Sequence, residues 1–222
     1  MKNGPLLKLS ALSTAAGIFL LYMSAVHMEA KVTPISEINE EFIGQQTEVS
    51  GEVVDLYDHP DGHLFTRLKD KSGGVILVPF FSETYRALDE EIDMLDRVQI
   101  KGKVTEYEGD LELIPSKSEG IKIINTPPLD ISKIDRNRLG DLVKIEGFIE
   151  KKQEKENKLI IVLQDKKKHI EAVISSYNTN YNSIKGIQKG TMLQITGKVI
   201  PSDAGVRVLI QRGDWVKNIE EK

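Results

Sequence analysis

Two clusters in this 222-residue chain hold side chains able to do chemistry. Asp58-His59-Pro60-Asp61-Gly62-His63 gathers imidazoles and carboxylates, both of which are zinc ligands, so His59 and His63 are the candidate metal ligands. The same stretch contains Pro-Asp-Gly, which makes a hairpin turn and leaves its neighbours solvated. The second cluster, Lys151, Lys152, Lys155 and Lys158, together with Arg207, offers cations that can neutralise the phosphates of a polyanion. Glu150, Glu154 and Glu156 interleave with those lysines, so the competing reading is a solvated hairpin of mixed charge. Lys166, Lys167 and Lys168 form a denser run, but one placed at a different turn.

Other chemistry finds little support. The chain has no cysteine, which excludes disulfides, thiolate metal sites and a Cys nucleophile. Gly73-Gly74 is a turn and not a phosphate-binding loop. The four histidines, His27, His59, His63 and His169, are scattered and form no nucleophile motif. Glu90, Glu91 and Asp93 read as the solvated side of a helix and not as an acid and base pair. The expectation is therefore a binding protein with no catalytic residues and no cofactor.

Positioning falls to a long internal repeat. Ile35, Ser36, Ile38, Gly44 and Gly51 recur as Ile131, Ser132, Ile134, Gly140 and Gly147, 96 residues on. Leu68 and Asp70 recur as Leu163 and Asp165, and Gly102-Lys103-Val104 as Gly197-Lys198-Val199. A period this long means two complete small domains, expected over residues 31–127 and 128–222 with Pro127-Pro128 between them. Their charges have diverged: the first copy carries 10 Lys and Arg against 20 Asp and Glu, net −10, and the second 18 against 13, net +5. Contact with a polyanion is expected on the second.

Within each copy, apolar residues alternate with polar ones in five runs. In the first, Val49, Gly51 and Val53 share one face, as do Val98, Ile100, Gly102 and Val104, and further runs cover 63–68, 75–80 and 111–115. The second repeats this at 143–149, 159–163, 169–174, 193–199 and 206–211. The glycines are expected to mark bulges or coils where a small barrel closes. Tyr85, Leu88, Ile92 and Leu95 keep helical spacing after the candidate cap Ser82, and Tyr177, Tyr181 and Ile184 do so in the second copy.

Three strands, a helix and two strands is the order of the OB-fold barrel. Phe65-x-x-Leu68-Lys69-Asp70-x-Ser72-Gly73-x-Val75 resembles the second-to-third strand signature of OB domains in tRNA synthetases (the anticodon-binding type), replication protein A and related nucleic-acid binders. The second copy keeps Ile160-x-x-Leu163-Gln164-Asp165. The resemblance implies an all-β protein with minor α content: two tandem five-stranded OB-fold barrels, each with a helix between strands three and four. It also implies ligand contact through the loops joining strands one to two and four to five, where Lys151, Lys152, Lys155, Lys158 and Arg207 fall.

Ahead of the repeats, residues 9–28 run 20 positions without a formal charge, enough to span a bilayer as a helix. With Lys2 and Lys8 before it, the segment reads as an uncleaved anchor over 1–30 with its N-terminus in the cytoplasm and both barrels outside. A cleaved signal peptide and secretion is the alternative.

The expected function is non-catalytic binding of single-stranded nucleic acid or another anionic polymer through the second barrel. The alternative is a cell-envelope module whose acidic and basic barrels dock a partner protein or each other. Aromatic residues divide the evidence, because Phe65, Phe80 and Phe81 lie in the acidic copy while strands two and three of the basic copy have none. Trp215, the only tryptophan, is expected to close a barrel end.

Overall fold

A computed structural model of the chain describes residues 13–14, 16–19, 32–116, 118–178 and 180–219. In the first copy the strands are β1 (Gln46–Asp58), β2 (Leu64–Lys69), β3 (Val75–Phe80), β4 (Arg97–Tyr107), β5 (Asp110–Pro115) and β6 (Ile121–Ile124), with the short helix α1 (Ser82–Arg86) after β3. The second copy repeats the series as β7 (Leu142–Lys155), β8 (Lys158–Asp165), β9 (Lys168–Ser175), α2 (Tyr181–Gly186), β10 (Met192–Ser202), β11 (Gly205–Ile210) and β12 (Val216–Asn218).

Each sheet closes on itself. Strand order β1-β2-β3-β5-β4 returns to β1 through the β1–β4 pairing, and β11-β9-β8-β7-β10 returns through β10–β11. Five strands thus form each barrel, as the alternation requires. A sixth strand, not expected from the sequence, is added at the edge of β4 and of β10. Val49, Val53, Leu68, Val98, Ile100 and Leu113 fill the first interior, and Ile145, Ile161, Leu163, Leu193 and Ile195 the second.

The repeated glycines serve close approach. A Cβ on Gly102 would stand 2.5 Å from the Ile114 carbonyl oxygen, and one on Gly197 2.6 Å from that of Leu209. The bulges lie elsewhere, between Val53 and Asp55 and between Ile149 and Lys151. Gly102→Ala is expected to cost about 1–3 kcal/mol by overpacking. Gly186→Ala, whose Cβ meets nothing within 4 Å, is expected to be neutral or stabilising. Urea midpoints moving together for both variants would contradict the close-approach account.

Two expectations are corrected. Among the described residues no helix is long and apolar enough to cross a membrane. Residues 13–14 and 16–19 are helical, six positions where a crossing needs about 20, and the rest of 9–28 lies outside the described residues. The single-pass anchor, the membrane as partner and the extracytoplasmic placement of the barrels are therefore withdrawn. The helix proposed through Leu95 also fails, since α1 ends at Arg86 and Leu95 has φ 68°. The physical reason is Asp96, whose buried carboxylate accepts from the Asp93 backbone N–H at 2.9 Å and turns the chain there.

The barrels are joined by more than their linker. Trp215, 8% exposed, packs into the interior cluster of the first barrel, with Leu142 against it. The Lys144 ammonium, itself buried, donates to Asp96 Oδ1 at 2.9 Å, and that oxygen also accepts from the Thr126 backbone N–H. Lys217 reaches Asp93 and Glu91. Burial alone would lower the Lys217 pKa, but the two carboxylates outweigh it and hold the group above its ordinary value, so this clasp stays charged. Cations of the basic copy thus meet carboxylates of the acidic one within a single chain.

Candidate nucleic-acid interface

In each barrel the alternation that points one set of residues inward sends the other set out, and the bulge in the first strand decides which residues those are. In the second barrel Lys151 lies opposite Val162, Gln153 opposite Ile160 and Lys155 opposite Lys158. Val162 lies opposite Glu171, whose carboxylate is 3.7 Å from Arg207. Lys151, Lys155, Lys158 and Arg207 therefore share the outer face of β7, β8, β9 and β11.

Lys152 goes the other way. It aligns with the interior residue Ile161, and its ammonium donates to the backbone carbonyls of Lys185 and Ile187 at the end of α2. That is a structural use, completing the last turn of a short helix. Arg207 is also partly committed, being 20% exposed at its side chain and paired with Glu171, while its Nε is buried without a hydrogen-bond partner among the described residues. Lys151, Lys155 and Lys158 are exposed.

The interleaved glutamates matter less than their number suggests. Glu154 accepts from Lys185 and from the Tyr181 hydroxyl, and these bonds hold its carboxyl below the usual range. Glu150 sits 2.7 Å from His169. Both face partners within the barrel, which leaves Glu156 at the turn between β7 and β8. Lys166 and Lys168 lie at the opposite turn, with Lys166 held by Asp130 at 3.1 Å.

One residue of this face escaped sequence reading. Tyr177, assigned there to a helical stripe, precedes α2 in a turn and is 83% exposed. Asn157, at the turn between Lys155 and Lys158, donates from Nδ2 to the Tyr177 hydroxyl at 3.3 Å. The basic barrel does hold an aromatic ring, immediately beyond β9. The repeat gave no signal for it, because beyond residue 68 the copies run 95 apart and the exposed Phe81 aligns with Ser176.

The first barrel carries its aromatics on the corresponding face. Tyr57 lies opposite Phe65, their rings 6.5 Å apart and 26° from parallel, and Phe65 lies opposite Pro79. His59 and His63 extend the cluster toward Phe81, with His63 and Phe81 edge to face at 5.7 Å. Phe80 is fully buried and takes no part.

His59 and His63 are used locally. The His59 Nδ1 accepts from the Asp61 backbone N–H at 3.2 Å, and the His63 Nδ1 accepts from that of Ser82 at 2.9 Å, which fixes the start of α1. Among the described residues no three His, Asp or Glu side chains converge as a metal site would require. Across the barrel boundary, the Arg212 guanidinium lies 5.3 Å from the Tyr57 ring centre and 3.4 Å from Asp55.

Comparison with known proteins places these barrels. Among solved structures, asparaginyl-tRNA synthetase from Pyrococcus horikoshii complexed with asparaginyl-adenylate is similar at 12% identity and a TM-score of 0.39, covering 43% of this chain and 23% of that one. The Ifi202 HINa domain in complex with a 20-base-pair double-stranded DNA is similar at 16% identity and a TM-score of 0.38, covering 73% and 91%. The S. pombe Stn1–Ten1 complex shares 15% identity over 35% of this chain and 57% of that one, with a TM-score of 0.32. This chain spans about a quarter of the length of the synthetase. No curated protein matches it. Residues 47–121 and 143–214 each match the family described as the OB-fold nucleic acid binding domain, so the chain, through both of its barrels, belongs to that family.

Proposed function

We propose that the chain binds single-stranded nucleic acid, without chemistry on it, through the outer face of the second barrel, residues 128–222. Lys151, Lys155 and Lys158 contact phosphates there, Arg207 adds charge from the far edge of the face, and Tyr177 offers its ring to an unpaired base. Lys152 supports α2 and contacts the ligand little. The observation that carries this reading is Tyr177, exposed and held against the lysine hairpin by Asn157. A flexible strand needs both features, cations along its backbone and a ring on which a base stacks. Membership of a nucleic-acid-binding family supports the ligand class.

The test is anisotropy of a labelled dT12 oligonucleotide titrated with the full chain at several salt concentrations. Wild type is expected to bind more weakly as salt rises. Removing three phosphate contacts with Lys151→Glu, Lys155→Glu and Lys158→Glu should flatten the logarithmic salt slope by about 2, at about 0.7 per contact for single strands. Tyr177→Ala should cost about 1–3 kcal/mol of affinity while leaving that slope unchanged. Absence of binding at low salt, or equal binding by the triple variant, overturns the reading.

A further inference from the structure

The first barrel presents the same face with the opposite electrostatics. Its rings run from Tyr57 through Phe65, His59 and His63 to Phe81 in edge and stacked contacts of 5.7–6.5 Å. Tyr57 and Phe81 are 43% and 45% exposed, and so remain open to a ligand. The barrel behind them carries a net −10 over residues 31–127. A polyanion is repelled by such a surface, whereas a cation is drawn to both the ring faces and the carboxylates.

One edge of the face is already occupied in this way. Arg212, held by Asp214 of its own segment at 2.7 Å, lies over Tyr57 and reaches Asp55 at 3.4 Å, so the first barrel adds a ring and a carboxylate to the reception of a guanidinium. Farther along the face, Asp61 of the β1–β2 turn stands 3.5 Å from His59, whose ring lies 6.1 Å from that of Phe65, and Glu83 of α1 follows Phe81 by two residues. Asp61 is 74% exposed at its side chain, and neither carboxylate reaches a Lys or Arg among the described residues. Arg67, opposite Asp55 in the sheet, and Lys69, opposite Glu52, are cations on the outer side of β2, one and two rows away from Phe65.

We propose that this aromatic face docks an arginine-bearing segment of a partner protein, continuing along the first barrel the contact that Arg212 makes at its edge. The surface is distinct from the lysine face proposed for nucleic acid, and its occupant is selected by charge of the opposite sign. Arginine is favoured over lysine because its planar group stacks on rings while its N–H fork pairs with carboxylates.

The test uses the full chain and a labelled peptide of four Ser-Gly-Arg repeats, with Lys and Glu analogues and dT12 as comparisons. The Arg peptide is expected to bind, the Lys peptide more weakly and the Glu peptide not at all. Phe65→Leu with Phe81→Ser should weaken the Arg peptide about five- to tenfold. Asp61→Asn should weaken it about two- to threefold. The lysine-face triple variant should leave it unchanged, and unaltered thermal midpoints establish that each variant is folded. Equal binding to wild type and to the ring variant means diffuse charge attraction and overturns the proposal. So does loss of dT12 affinity in the ring variant with no loss for the Arg peptide, since the face then takes bases. Loss of dT12 binding in the lysine variant alone bears only on the nucleic-acid reading, so the two can fail separately.

Discussion

Replacing Trp215 by alanine is expected to remove about 3–5 kcal/mol of stability, and the damage should appear in the barrel that does not contain the residue in sequence. The indole lies in the turn before β12 of the second copy, yet it packs with the interior residues of the first. Truncation leaves a cavity in the cluster that Trp215 shares with residues such as Ile92, Met94 and Val98. Urea unfolding followed by circular dichroism measures the loss. Native-state hydrogen exchange locates it, with β1 and β4 amides losing protection before those of β8 and β9. Trp215→Phe should cost less than Trp215→Ala, because it leaves a smaller void and removes an Nε1 that is buried without a hydrogen-bond partner among the described residues. A loss below 1 kcal/mol for the alanine variant is incompatible with this packing.

Lys144→Met should cost a similar amount, about 3–5 kcal/mol, because it strands a buried carboxylate. Lys144 and Asp96 are 4% and 1% exposed at their side chains, so water offers neither a substitute partner. For a chain of this size the loss corresponds to a fall of roughly 6–20 °C in Tm. Asp96→Ala should be at least as severe, since the Thr126 and Asp93 backbone N–H groups lose their acceptor together with Lys144. Combining Lys144→Met with Asp96→Asn should cost less than the two single changes added together, because a neutral amide no longer needs the ammonium. Strict additivity in calorimetric scans would mean that the two side chains do not interact.

The barrels themselves were legible because a strand with one wet face writes its pattern at a period of two, and the duplication writes it twice. The third strand of the first copy was read at 75–80, the range of β3. The outer faces were harder, because a bulge reverses which residues point out. It puts Asp55 and Tyr57 outside with Phe65, and of the neighbours Lys151 and Lys152, which alternation sends to opposite faces, it makes Lys151 the outward one. Gly51 and Gly147 were read as marks of such irregularities. They are instead close-approach positions, two or three residues before the bulges, where a Cβ would stand 3.0 Å from the carbonyl oxygens of Lys69 and Gln164. The helix projected through Leu95 had the right spacing, but a single buried carboxylate at Asp96 outweighed it. Local periodicity records which residues are apolar, not which distant backbone groups a buried charge must satisfy.

Trp215 was read as closing a barrel end; that the barrel is the other one has no local signal, since the buried core residues it joins, Ile35 to Leu113, lie more than a hundred residues upstream. The tertiary arrangement also explains why the divergence of the copies left one compact unit. Lys144 and Lys217 of the basic copy are paired with Asp96 and Asp93 of the acidic one, and Arg212, bonded to Asp214 of its own copy, also reaches Asp55.

The placement of that one indole makes the molecule its own optical gauge. The chain has a single tryptophan, so emission excited at the red edge of protein absorption comes from one site, the seam between the barrels. Its wavelength registers whether that seam is dry, without a dye or an engineered label. A ligand that settles on either outer face leaves the colour unchanged, and one that pries the barrels apart shifts it toward the red.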